Sequence, residues 1–351
     1  VEAIVANRQV RSERVTLADV AKAAGVSQAT VSKVLNGRTD VSARTREHVL
    51  GVVAETGYRA TTPRHDRPRA RALVTVLDFV ASPYAGTVLQ EILAATAEAA
   101  TELVLRLPPD PAIGATDEAA RNWVAQQEAS GAVGIIELAV AVPDAVLAAA
   151  NDRGLPVVMI DPIGTADSEV VTIGSTNWAG GRSAAEHLIR FGHRRIAWIG
   201  GPPNSAPSAE RFHGYQAALD SADIAPDPEL VRHDAFTVEA GFMHGRELLD
   251  LATPPTAVVA GNDEIAIGVL AAAKELGVDV PGRLSVTGFD DTPQTEWITP
   301  GLTSVRQPLA GMGRMAVETV LGMAGGAAPA SRHLQLATAL TVRDSTGPVP
   351  A

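Results

Sequence analysis

Between Thr16 and Asn36 the chain reads TLADVAKAAGVSQATVSKVLN, in which two short apolar helical faces are separated only by a glycine turn. Leu17, Val20, Ala21 and Ala24 follow the i, i+3, i+4, i+7 rule of one helical face, with Thr16 as cap and Gly25 as stop. Ser27 is the next N-cap, and Val31, Val34 and Leu35 give the second helix a buried edge. Ser42 caps a third helix, whose Val49, Val52 and Val53 point one way before Gly57 supplies a left-handed stop. Three helices around one small apolar centre are expected over 15–60, after a disordered arm over 1–14.

On the second helix Gln28, Ala29, Ser32, Lys33 and Asn36 fall opposite the buried edge. That short-chained polar face suits a helix lying in a DNA major groove: Gln offers an amide to adenine, Lys donates to guanine, and Ala touches a thymine methyl. Thr30, Ser32 and Asn36 suit phosphates. The plainer alternative is a solvated face on a generic three-helix bundle. Charge favours the nucleic-acid reading once it is counted by segment. Overall the chain carries −11, but residues 1–72 hold 13 Lys and Arg against 7 Asp and Glu, and the remainder 16 against 33. A basic head attracts phosphates while an acidic body repels them.

After Arg71 the pattern changes to alternating strands and helices. Strands are expected at 72–77, 102–107, 131–136, 157–160, 170–173, 195–199, 257–260, 284–288 and 332–342, with helices between them. Such βα units imply an α/β body over 72–351 with two parallel-sheet lobes, the first at about 72–171 and 303–327, the second at about 172–302 and 328–345. In open α/β sheets ligands sit beyond the carboxyl ends of the strands. Asp161 follows VVMI, Asn262 and Asp263 follow AVVAG, Asp290 and Asp291 follow SVTGF, and Arg211 opens RFHGYQAAL. Carboxylate, guanidinium and amide groups converging in one cleft bind adjacent sugar hydroxyls, and an aromatic face such as Phe236 stacks on a pyranose.

The segment Val15–Tyr58 resembles the DNA-binding headpiece of the lactose-repressor (LacI/GalR) family of bacterial transcription regulators, through its AxxxGVSxxTVSxxLN spacing. The resemblance implies base reading by Gln28, Ala29 and Lys33, a headpiece closed by Tyr58, further DNA contacts at Thr16, Ser27, Thr30, Ser32 and Asn36, and homodimers on near-palindromic double-stranded operators. The body resembles periplasmic sugar-binding proteins. Carried over by local motif, Asp161, Arg211, Asn262 and Asp290 become hydrogen-bonding positions for a carbohydrate effector and Phe236 the stacking one. Ser82, Pro83 and Glu137 form the first-lobe wall, and Gln307 lies near a crossover. Residues 61–71 form a basic linker that departs from the family: the leucine that usually enters the minor groove is missing, Arg67 stands about where it would sit, and Pro68 interrupts any helix begun at Pro63.

Duller readings stand beside these. Asp263 caps its helix, Asp291 caps a turn, Arg211 and Asp290 form a structural ion pair, and His187 and His193 are satisfied surface histidines. Trp178, Trp198 and Trp297 read as core or lobe-contact residues. Enzyme motifs such as GxSxG, HExxH or a Walker loop are absent, and Gly200-Gly201 followed by two prolines makes a poor phosphate cradle. No catalytic residue, metal or cofactor is expected. The chain has no cysteine, no apolar run of about 18 residues, and an opening without a signal-like core, so a cytoplasmic, nucleoid-associated protein without membrane contact is expected. The tail DSTGPVPA lacks the leucine heptads that join dimers into tetramers. The reading is an effector-controlled transcriptional regulator, most naturally a repressor of carbohydrate-utilisation genes. A transport sugar-binding protein is the second class, disfavoured by the added head, and a nucleotide-using α/β enzyme the third.

Overall fold

The computed structural model describes residues 16–35, 41–56, 71–77, 82–110, 113, 116–163 and 170–350. The chain divides into two compact units, Val1–Pro68 and Arg69–Ala351. In the first, α1 (Leu17–Ala23), α2 (Gln28–Leu35) and α3 (Ala43–Thr56) enclose Val20, Ala21, Ala24, Val31, Val34, Val49 and Val52. Each helix begins on a hydroxyl cap. Thr16 and Asp19 form a reciprocal capping box, Ser27 Oγ accepts from Thr30 N at 3.1 Å, and Ser42 Oγ accepts from Thr45 N at 3.2 Å. Gly25 has φ 61°, the left-handed turn that lets α2 follow α1 at once.

The second unit holds two six-stranded sheets. The first is built from β1 (Ala72–Val76), β2 (Glu102–Arg106), β3 (Ala132–Leu138), β4 (Val157–Ile160), β5 (Val171–Ser175) and β11 (His333–Leu336), in the order β11-β5-β4-β3-β1-β2 and all parallel. Helices α4 (Pro83–Glu98) and α12 (Leu309–Ala324) cover one face; α5 (Asp117–Ala129) and α6 (Asp144–Asp152) cover the other. Strand residues alternate between these layers, Ile136 and Leu138 joining the first and Ile135 the second. The second sheet runs β12-β10-β9-β8-β6-β7: β6 (Ile196–Gly200), β7 (Val231–His233), β8 (Ala257–Ala260), β9 (Ser285–Asp290), β10 (Thr303–Arg306) and β12 (Ala339–Thr341). In this sheet β12 alone is antiparallel to its neighbour. Helices α7 (Asn177–Arg190) and α8 (Ala206–Ser221) pack on one face, α9 (Val238–Leu249) and α10 (Asp263–Glu275) on the other, and short α11 (Gln294–Trp297) links β9 to β10.

The crossings between lobes fall later than the sequence suggests. Strand β5 pairs with β4 and belongs to the first sheet instead of opening the second, and β10 belongs to the second sheet, not the first. The expected strand 332–342 is two strands, β11 and β12, in different sheets. The chain therefore crosses near Thr176, Gln307 and Thr338, where 171, 303 and 328 were expected. Periodicity marks a strand without naming its partner, so a strand of three to five residues fits either lobe. Two crossings are tied together, the Thr176 and Thr338 hydroxyls lying 2.9 Å apart and Thr338 N donating to Thr176 Oγ1 at 3.0 Å.

His187 and His193 are buried, contrary to the surface reading. His187 Nε2 meets Thr346 Oγ1 at 2.9 Å, and His193 Nε2 lies 3.0 Å from the carbonyl of Gly347. They anchor the returning C-terminal segment, a long-range contact invisible to local pattern. Of the tryptophans, Trp198 lies in the core while Trp178 and Trp297 are exposed.

Candidate functional site

In the N-terminal unit Gln28, Ala29 and Lys33 are exposed on α2, opposite the buried Val31 and Val34. Ser32 and Thr30 are half-buried, and Thr30 Oγ1 lies 2.9 Å from Ser27 Oγ. Thr16 Oγ1 donates to Asp19 Oδ2 at 2.6 Å. Ser27, Thr30 and Thr16 thus take part in starting helices, and Gln28, Ala29 and Lys33 are exposed on α2. Asn36, Tyr58 and Arg67, with most of the linker, lie outside the described residues.

In the body a cavity of about 320 Å³ opens between the lobes. Ser82, Asp161, Arg211, Phe236, Asn262 and Asp290, from both lobes, line it as the sequence suggests. Three expected residues are placed otherwise. Pro83 starts α4. Glu137 is buried on the Ile135 side of β3, away from Leu138, which does line the cavity. Gln307 is buried and acts through a neighbour, its Nε2 donating to Asp290 Oδ1 at 2.6 Å. Tyr84 and Glu264 line the cavity unforeseen. Both stand in the first turn of a helix, α4 and α10, rather than directly after a strand; the signal lay in the helix starts that face the cleft.

The loops that place these groups are bent. Asp161 and Asp290 leave β4 and β9 with φ 45° and 104°, conformations costly for a residue with a Cβ and typical of constrained sites. On the second-lobe side three helices begin at the cavity wall, each on its own cap: Ser205 for α8, Thr237 for α9 and Asn262 for α10. Asn262 Oδ1 accepts from Ile265 N at 2.9 Å, so Asn262 is the cap that Asp263 was expected to be. Asp263 instead fastens β10 and the β9–α11 turn, accepting from Ser304 Oγ and from Thr292 N and Oγ1. Asp291 is likewise more than a turn cap, holding Arg306, Arg343 and Thr341.

Arg211 lies at the centre. Its Nε donates to Asn177 Oδ1 at 2.8 Å and its Nη1 to the carbonyl of Gly261 at 2.8 Å, with Asp290 Oδ1 at 3.5 Å. The guanidinium lies 3.8 Å from the Phe289 ring centroid, a cation–π contact that fixes its plane. Phe236 packs on Gly201, where a Cβ would stand 2.2 Å from the ring. Gly201 therefore makes room for an aromatic wall. Tyr84 Oη donates to Asp161 Oδ2 at 2.6 Å. Burial raises the pKa of Asp161 against the opposing pull of Arg211 and Tyr84, and pushes that of Asp290 up to about 7 against Arg211 and Gln307. Across the mouth, Ser82 Oγ from the first lobe donates to Glu264 Oε1 from the second at 3.0 Å.

A helix-turn-helix head joined to a two-lobed α/β body with a polar interlobe cleft defines a class: a DNA-binding regulator with a small-molecule receptor. Comparison with known proteins agrees for each part. Residues 16–60 match the model of bacterial regulatory proteins of the lacI family, and residues 185–346 that of a periplasmic binding protein-like domain. The regulator CelR of Thermobifida fusca is 34% identical over 344 residues, spanning 95% of this chain and 99% of its own length. A solved CelR–cellobiose complex superposes with a TM-score of 0.69 at 31% identity, covering 95% of this chain and 100% of that one. The lac repressor dimer bound to operator and the anti-inducer ONPF gives 0.68 at 26% identity with the same coverage. The chain belongs to the LacI family of bacterial transcriptional regulators. No helix among the described residues is long and apolar enough to cross a membrane.

Proposed function

We propose that this regulator is a repressor of carbohydrate-utilisation genes, acting in the cytoplasm on nucleoid DNA, that binds near-palindromic operators as a homodimer and is controlled by a sugar held between its lobes. No enzymatic step is assigned to it. The observation that supports this best is the cleft itself, where Asp161 from one lobe and Arg211, Asn262 and Asp290 from the other face one cavity. Arg211 and the two aspartates offer donor and acceptor groups for adjacent hydroxyls, while Phe236 and the apolar Leu77, Leu138 and Ile163 suit the C–H face of a sugar ring. The CelR–cellobiose complex and the operator-bound lac repressor dimer support the same reading by relationship.

Control follows from differential binding. A sugar that touches both walls favours the lobe arrangement in which both reach it, and can shift an equilibrium only by that difference. The three crossings near Thr176, Gln307 and Thr338 are where the backbone absorbs such a change. The test is a thermal-shift screen of the full chain against neutral mono- and disaccharides, followed by operator binding with the sugar that responds. A sugar that raises Tm and alters operator affinity supports the reading. Sugars that leave both unchanged overturn it.

A further inference from the structure

The charge inventory of the cleft narrows its ligand further, on the footing of the sugar reading above. Among the described residues the cavity wall carries Asp161, Glu264 and Asp290 against one cation, Arg211. Arg211 is partly engaged, since Asn177, Gly261 and Asp290 take Nε and Nη1 and Phe289 covers one face of its guanidinium. The second-lobe helix starts around the cavity are closed, the side-chain oxygens of Ser205, Thr237 and Asn262 accepting from the first-turn amides at Ser208, Ala240 and Ile265; on the first lobe α4 starts without a side-chain cap bond, with Pro83, which has no N–H, in its first turn. The three second-lobe starts thus form no nest of bare N–H groups such as a phosphate requires. Glu264 stands at the mouth with Ser82 across from it, and the further charge acting on it is another acid, Glu239.

We infer that the cleft is a charge filter: it accepts an uncharged sugar and rejects its phosphorylated or carboxylated counterparts, with Glu264 as the specificity-determining group at the mouth. An anionic substituent entering here would meet the carboxylate of Glu264 and two buried aspartates that share one guanidinium, and each of these acids that is ionised repels it in a space partly shielded from water. Neutral hydroxyls instead donate to those oxygens. Glu264 does this work without blocking entry, because its bond to Ser82 holds Oε1 at the rim while the apolar first-lobe wall stays open to the ring.

The test uses the intact chain and matched pairs in isothermal titration: glucose and glucose 6-phosphate, cellobiose and its 6-phosphate, glucose and glucuronate, and uridine and uridine monophosphate. In whichever class binds, the anionic member should be weaker by about 100-fold or more. E264Q keeps an acceptor for Ser82 but removes the charge, and should narrow that ratio by about tenfold; a urea-unfolding midpoint equal to that of the wild type shows that its body is folded. An anion that binds as tightly as its neutral parent, or a ratio unmoved in E264Q, overturns the filter. Binding of uridine but not its monophosphate, with every sugar silent, would overturn the sugar reading and sustain the filter. A panel with no response at all overturns both.

Discussion

Arg211 Nη1 stands 3.5 Å from Asp290 Oδ1, with 5% of each side chain exposed. Such a pair gains little over an apolar replacement, yet losing one partner leaves the other charge buried alone. Arg211→Ala should therefore destabilise the body by about 3–5 kcal/mol in urea unfolding and abolish the effector response, while the head still binds operator. Arg211→Lys should not restore the response, because an ammonium cannot span Asn177, Gly261 and Asp290 from one plane. A stable, fully responsive alanine variant would reduce the pair to decoration.

Helix packing reaches the same arginine from behind. A Cβ at Gly181 on α7 would lie 2.1 Å from the backbone oxygen of Arg211 on α8, and one at Gly214 would lie 2.0 Å from that of Trp178. The helices touch through their backbones. Gly181→Ala should cost about 1–3 kcal/mol or more by overpacking and weaken effector binding through displacement of Arg211. Unfolding and sugar titration of the same variant check both effects; loss of stability with intact affinity would show that α8 adjusts as a rigid body without moving the guanidinium.

On the head, Gln28→Ala and Lys33→Ala should each weaken specific operator binding by about 1–3 kcal/mol and leave sugar affinity nearly unchanged. Competition with random DNA separates base reading from phosphate contact, because a phosphate contact weakens both DNAs alike.

Glu137 gives the body a pH dependence. Its side chain is buried, its Oε2 has no hydrogen-bond partner, and burial raises its pKa to about 8. A group whose folded pKa is raised contributes stability that is fully present below its unfolded value and is lost as pH rises through the folded one. The window here runs from the ordinary 4.5 to about 8. Glu137→Gln, which cannot ionise, should gain on the wild type by about 1.4 kcal/mol per pH unit at most within that window. Asp290, raised to about 7, adds to the wild-type decline over the lower part of it. Buried His187 and His193, whose pKa values burial lowers, act in the opposite sense, with stability lost as pH falls below their ordinary 6.5. Urea midpoints for both proteins across about pH 5–8.5 decide; parallel curves would mean that Glu137 finds a partner.

The sequence carried the elements with local signals and missed those settled by distant contacts. Caps at Thr16, Ser27 and Ser42, the stop at Gly25 and the valine faces are local chemistry, and the head was legible throughout its described part. Asp161, Asn262 and Asp290 were found because they end strands or begin helices after them. Tyr84 and Glu264 were missed because they enter the cleft from helix starts, and Glu137 was misplaced because a single residue of alternation decides which face of β3 it takes. The lobe boundaries depended on which sheet adopts β5, β10 and β11, a choice made by partners more than 100 residues away in the case of β5 and β11.

Coupling between cleft and operator is the central claim, and reciprocity measures it most directly. If a sugar changes operator affinity by some factor, operator must change sugar affinity by the same factor. Titrating the responding sugar into the full chain, alone and then saturated with operator duplex, should give two affinities whose ratio equals the sugar-induced change in operator affinity, typically about 5- to 150-fold. Equal sugar affinities with and without operator, from a protein that binds both, would contradict the account.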